Sequence, residues 1–259
     1  MPRHCYVLRV FTRGDLGGNG LGVVTDILGL DDLKMQRIAT DLGFSETIFL
    51  NWFEGAMPKA RIFTPKVELP FAGHPLVGAA WVLINLGPLD PGGIECATGP
   101  VRIRQLEGIT WIDAAGNQPV RSPVRDLDFA PAALDIAEVL MPSPYLLVRL
   151  DSPQKIAELS PSSASGLGNV YFWAWEQEGD SVRSRFFVPD FGIDEDPATG
   201  SAAVALAARL KALGHNQGSI IIHQGEETGS PSRIRLKWDE AVSSIGGTVV
   251  RDEVRFLNI

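Results

Sequence analysis

Cysteine is scarce in this chain of 259 residues: there are two, Cys5 and Cys96, far apart and in no metal-ligand spacing such as CxxC. A reduced, cytoplasmic setting is the simple expectation, and no metal site is expected. Positive charge is also short. Lys and Arg number 23 against 31 Asp and Glu, a formal net charge of −8. The basic residues are scattered, whereas phosphate binding needs them clustered, so no nucleic-acid partner is expected and a small-molecule substrate is. No run reaches the ~20 apolar residues of a membrane span, and no basic segment followed by an apolar core opens the chain. Neither export nor a membrane partner is expected. A dinucleotide fingerprint is missing too: Gly18-Asn19-Gly20-Leu21-Gly22 is followed by Val23 and a strand-like run, where GxGxxG would open a helix. The glycines read as a turn.

What is present is a globular composition, 45% hydrophobic and 21% charged, at a length that allows one large domain or two of ordinary size. A duplication favours two. The stretch Arg61 to Leu83, RIFTPKVELPFAGHPLVGAAWVL, returns edited at Arg185 to Leu210 as RFFVPDFGIDEDPATGSAAVALAARL. Arg61, Phe63 and Pro65 stand 124 positions before Arg185, Phe187 and Pro189, and Ala72-Gly73-His74 stands 126 before Ala198-Thr199-Gly200. Each copy is a strand ending in proline, a small-residue turn, and a long run of Ala, Val and Leu. The expected division is a first domain over 1–117, rejoined by a last strand at about 247–259, and a second over 122–246, with Gly116 to Pro123 as linker.

In chain order, strands are expected at His4 to Phe11 and Leu21 to Leu28. An amphipathic helix follows over Asp31 to Gly43, with Leu33, Ile38, Ala39 and Leu42 on its inner face. Further strands are expected at Ser45 to Leu50 and Lys59 to Phe63, then an apolar helix over Leu76 to Leu86 wrapped by sheet, and strands near Ile94 to Ala97, Val101 to Gln105 and Thr110 to Ala114. The second half reads as a helix near Ala132 to Leu140, a strand at Tyr145 to Leu150, a short helix at Pro153 to Leu159, and strands at Val170 to Trp175 and Val182 to Phe187. A second apolar helix at Ala202 to Leu213 and strands at Ser219 to His223, Arg233 to Lys237 and Gly247 to Phe256 complete it.

The two apolar helices offer backbone N–H groups at their starts, and a pseudo-twofold between the halves would turn both toward one cleft, an arrangement suited to a carboxylate. Glu46 and His74 from the first half, with Asp196 and Ser201 from the second, are the groups able to move a proton there. Each has a plainer reading. Glu46 fits an exposed strand end, His74 and Ser201 fit helix caps, and Asp196 before Pro197 fits a turn. Glu46 also lies outside the repeated stretch.

SETIFL, RIFTPKVELPFAGHP and EDPATGSAA resemble the phenazine-biosynthesis PhzF-like isomerase family, relatives of diaminopimelate epimerase. The resemblance covers nearly the whole chain. It implies an α+β fold of two similar domains, each a β-barrel-like mixed sheet around a central apolar helix, and a homodimer. It also implies a cofactor-free isomerase that moves a proton between carbons of a small carboxylate-bearing substrate. By motif, Glu46 matches the catalytic carboxylate, and His74, Asp196 and Ser201 match groups that position substrate or assist the relay. Ser45, Gly73, Thr199 and Gly200 match substrate-binding positions. Ala72 and Ala198 stand near the places where epimerases carry paired cysteines, which disfavours two-thiol racemisation. Gly20 and Leu76 depart from the family's GNPLAVV and GHPT. A serine-dependent hydrolase using Ser201, His74 and Asp196 is one alternative, although TGSAA is no GxSxG elbow. A non-catalytic binding protein is the other.

Overall fold

The structure is a computed structural model that describes residues 3–52, 56–87, 92–115, 118–123, 133–189 and 193–257. The chain divides into two compact units, Met1–Asp113 with Gly246–Ile259, and Ala114–Ile245. Part of the expected linker, 116–117, lies outside the described residues, as does residue 132 of the helix expected near 132–140.

The first unit contains β1 (Arg3–Thr12), β2 (Asn19–Val24), α1 (Asp32–Leu42), β3 (Glu46–Asn51), β4 (Lys59–Phe63), β5 (Glu68–Leu69), α2 (Gly73–Leu86), β6 (Gly93–Cys96), β7 (Gly99–Leu106) and most of β8 (Ile109–Ala115). The second contains β9 (Val120–Arg121), β10 (Ala133–Val139), β11 (Tyr145–Leu150), α3 (Pro153–Ala157), β12 (Asn169–Gln177), β13 (Ser181–Val188), β14 (Ile193–Asp196), α4 (Gly200–Ala212), β15 (Gly218–Gln224) and β16 (Ser232–Trp238). The last strand, β17 (Val242–Leu257), begins in the second unit and ends in the first, where it pairs antiparallel with β1 from Arg3↔Leu257 to Thr12↔Thr248.

In the first unit the pairings run β17, β1, β2, β3, β4, β6, β7, β8 and return to β17, so the sheet closes on itself. Closure leaves no free edge in that ring and an interior that must be filled. The filling is α2, which packs on β1, β2, β3, β6 and β7 and buries every residue from Gly73 to Ala80. A helix apolar all round belongs in such a place. Its close approach depends on Gly78, where an added Cβ would stand 2.3 Å from Leu21 Cδ2 and 3.2 Å from Val10 Cγ2. Glycine costs a helix about 1 kcal/mol of propensity relative to alanine, and here the cost is offset by contact with the sheet.

The second unit repeats this connectivity element by element. β2 and β3 pair in parallel, as do β11 and β12. β4 pairs antiparallel with β3 on one side and shares its other side between antiparallel β5 and parallel β6. β13 does the same with β12, β14 and β15. The central helix is now α4, which packs on β9, β10, β11 and β16 and is buried continuously from Gly200 to Ala208. Both units are therefore mixed sheets around a central apolar helix, an α+β architecture.

Three expectations are corrected. The helix expected near Ala132 to Leu140 is strand β10, paired with β9 and β11. ALDIAEV carries helix formers, but its pattern also has period two: Ala137 and Val139 are buried, and Asp135, two residues before Ala137, pairs with Arg209 of α4. Sheet pairing along both edges overrides the local propensity. In α1, Leu33 is 83% exposed and Met35 takes its place in the core with Ile38 and Ala39. The glycine-rich turn before the second strand is shorter than expected. Gly18 has φ +88°, but Gly20 and Gly22 lie within β2, where Cβ atoms would stand 3.2 and 3.3 Å from the Phe44 ring. Gly20 thus makes room for Phe44 rather than loosening a turn, and Leu76 is a fully buried packing residue of α2.

Candidate active site

In the first unit the polar groups gather where β2, β3 and α2 begin. Glu46 is the first residue of β3, held in register by parallel pairing with Leu21 and by the neighbouring pair Thr47↔Phe63. His74 is the second residue of α2 and almost fully buried. The N-cap position of α2 is Ala72, which supplies no side-chain cap, and His74 lies inside the helix, so its expected capping role is set aside. Its Nε2 stands 3.4 Å from Glu46 Oε2, and both atoms are shut off from solvent. Pro75 is tolerated here because the first turn of a helix has no intrahelical use for its N–H.

Burial pushes the Glu46 carboxyl up to about 7, an effect only partly opposed by the neighbouring Ser45 side chain. The exposed-strand-end reading of Glu46 is thereby set aside: its side chain is 17% exposed. The cause is loss of hydration, which penalises the charged form, and the consequence is a carboxyl with both protonation states populated near neutral pH. Ser45 Oγ also lies 3.3 Å from Asn19 Oδ1, and Asn19 Nδ2 lies 3.3 Å from His74 Nδ1. The first unit thus brings together Ser45, Glu46, Gly73 and His74 as the sequence leads one to expect, and adds Asn19, which sequence reasoning absorbed into a turn.

In the second unit Asp196 ends β14 and is buried. It accepts a hydrogen bond of 2.5 Å from the Thr199 hydroxyl. Thr199 occupies the N-cap position of α4, yet its side chain caps no helix N–H because it is turned to Asp196. Gln224, wholly buried at the end of β15, clasps this turn by donating to the Asp196 carbonyl at 2.8 Å and to Thr199 Oγ1 at 3.0 Å. Ser201 is the second residue of α4, not its cap, and its hydroxyl lies 2.7 Å from Tyr145 Oη. Gln224 and Tyr145 were not legible as site residues. Neither stands in a motif, and only strand pairing and helix position bring them here.

Asp196, Thr199, Gly200 and Ser201 therefore stand together at the start of α4. Within the units Ser201 is paired with a tyrosine, Asp196 with a threonine, and His74 with Glu46 and Asn19. Among the described residues no three His, Cys, Asp or Glu side chains come together to hold a metal ion, and no helix is long and apolar enough to cross a membrane. Cys5 is buried in the first unit's core, where loss of hydration raises its thiol to about 11, so it is not a ready nucleophile.

Comparison with known proteins agrees with this architecture. Residues 8–251 match the model of the family described as phenazine biosynthesis-like protein. An uncharacterized isomerase of Pasteurella multocida is 33% identical over 96% of this chain and 92% of its own length. The trans-2,3-dihydro-3-hydroxyanthranilate isomerase of Pseudomonas aeruginosa is 32% identical over 95% of each. Among solved structures, a protein of the phenazine biosynthesis PhzF family from Enterococcus faecalis superposes with a TM-score of 0.82 over the whole of both chains at 25% identity.

Proposed function

Since the chain belongs to the phenazine biosynthesis-like protein family and is an isomerase, we propose that it moves a proton between carbon atoms of a small carboxylate-bearing metabolite, with Glu46 as the group that removes and returns it. The observation that carries this reading is the desolvated Glu46 carboxyl, raised to about 7 and set against His74 Nε2. As a carboxylate it takes a proton from carbon. The C–H bond breaks and its electron pair spreads into the substrate's conjugated system. As an acid it gives a proton, exchangeable with solvent while it rests on the carboxyl, to a second carbon, so the molecular formula is unchanged. One proton leaves carbon and one returns to carbon with no net oxidation, so the reading calls for no redox cofactor.

His74, Asp196 and Ser201 are assigned to positioning and to the relay. Ser45 and the backbone of Gly73, Thr199 and Gly200 are assigned to substrate binding. The starts of α2 and α4 support this, since no side chain caps either helix. N–H groups at such a start favour a carboxylate and the negative charge that develops on deprotonation. The dihydro-hydroxyanthranilate in the name of one relative makes a cyclic unsaturated amino acid the first class of compound to try. A homodimer in the cytoplasm completes the proposal.

The test is turnover in heavy water. A true substrate gains deuterium at carbon, seen by mass spectrometry, and Glu46→Gln slows that gain by at least ~10²-fold. Undiminished incorporation in the mutant would remove Glu46 from the mechanism.

A further inference from the structure

Asn19 is the one buried polar side chain of the first unit's cluster with no role yet assigned, and it is 2% exposed. Its inward position is built by the chain. Gly18 has φ +88° and approaches so closely that a Cβ would stand 2.8 Å from Thr12 Cγ2 and 2.9 Å from the Val10 carbonyl. Asn19 then enters β2 in register with Val10. Its amide is wired at both ends. Oδ1 accepts from the Ser45 hydroxyl, which turns Nδ2 toward His74 Nδ1, at 3.3 Å. An amide nitrogen has only hydrogens to offer. The Nδ1 that faces it must therefore present a lone pair, and the ring proton of a neutral imidazole is left on Nε2, 3.4 Å from Glu46 Oε2.

We propose that Asn19 is a positioning residue that fixes His74 in the tautomer protonated at Nε2, so that Glu46 always meets an N–H and not a lone pair. The consequence rests on the reading of Glu46 as proton carrier. An N–H stabilises the carboxylate and cannot accept the proton from the acid form. The proton that Glu46 collects is thus kept for carbon and is not lost to the imidazole. The opposite tautomer would set a lone pair against the carboxylate and offer the acid form a competing acceptor.

The test needs no substrate. The whole chain, labelled with nitrogen-15, is studied by long-range proton–nitrogen correlation at about pH 9, above the value of about 7 for Glu46. Four histidines are present, and His74 is assigned by the signals missing from His74→Gln. The wild type is expected to show an unprotonated Nδ1 and a protonated Nε2. Asn19→Asp, nearly the same shape, replaces the donor by an acceptor and is expected to bring a proton onto Nδ1. A wild-type His74 protonated at Nδ1 overturns the proposal even if Asn19→Asp does not fold. So does an Asn19→Asp protein, folded by its amide spectrum, whose His74 signals are unchanged. Loss of Glu46-dependent deuterium uptake would instead overturn the function while leaving this tautomer result standing.

Discussion

The two units share a frame and differ in what hangs on it. Strand register makes the comparison residue by residue. Glu46 faces Leu21 on the neighbouring strand, and Asn169 faces Tyr145 in the same way. Thr47 pairs with Phe63 as Val170 pairs with Phe187, so Glu46 and Asn169 are counterparts. The acidic group that sequence comparison left outside the repeat is therefore inside it. The helix starts correspond too: Gly73 and Gly200 are the first residues of α2 and α4, and His74 and Ser201 the second. The first unit sets a carboxylate and an imidazole where the second has an amide and a serine. The second sets Tyr145 against that serine where the first has Leu21. The place that holds the Glu46 carboxylate in the first unit thus holds the neutral amide of Asn169 in the second.

The shared frame also explains the arginines that revealed the duplication. Arg61 bonds both oxygens of Glu68 on β5, and Arg185 bonds both oxygens of Glu195 on β14. Each lies over the phenylalanine two residues on, Phe63 at 5.1 Å and Phe187 at 4.7 Å. Their surroundings differ. The Arg61 side chain is 33% exposed and reaches Asp32 at the start of α1, whereas Arg185 is 5% exposed and donates to the carbonyls of Ala157 and Leu159 behind α3. Removing a buried partner strands the other charge, so Arg185→Met is expected to lose about 3–5 kcal/mol of stability. Arg61→Met is expected to lose about 1 kcal/mol or less. Urea melts of the two variants compare them, and equal losses would show that burial does not distinguish the copies.

A smaller and pH-dependent difference is expected at the counterpart carboxylate and amide. The folded-state pKa of Glu46 is raised from 4.5 to about 7, so the folded chain binds more protons than the unfolded chain between those values and stability falls as pH rises through them. Above pH 7 the charged form costs about 3 kcal/mol, as an order of magnitude. Glu46→Gln is therefore expected to melt higher than wild type at about pH 8 and to lose that advantage below about pH 4.5. Asn169→Ala, at the neutral counterpart, is expected to show no such crossover by the same thermal melts.

The smallest effect sharpens the polar pair of the second unit. Tyr145→Phe removes the hydroxyl bonded to Ser201 and should cost about 0.5–1.5 kcal/mol by chemical denaturation. Leu21→Met, at the counterpart place in the first unit, keeps its apolar character and volume and should cost less than about 1.5 kcal/mol. A Tyr145→Phe protein as stable as wild type would mean that the hydroxyl pair contributes nothing to the fold.

Much of this was legible along the chain. The RxFxP strands, the two apolar helices and the Glu46, His74, Asp196 and Ser201 motifs are local patterns, set by side-chain periodicity and short spacing. β10 was misread because its residues suit either period, and pairing with β9 and β11 made the choice. Asn19, Tyr145 and Gln224 were invisible because their partners lie 55, 56 and 25 to 28 positions away. The sequence by itself determined the duplicated frame, the burial of both central helices and the identity of the groups able to carry a proton. Tertiary structure alone decided that Glu46 is dehydrated, that His74 Nε2 is set against it and that its counterpart in the second unit is a neutral amide, because hydration and close approach depend on neighbours that only strand register brings within a few ångströms.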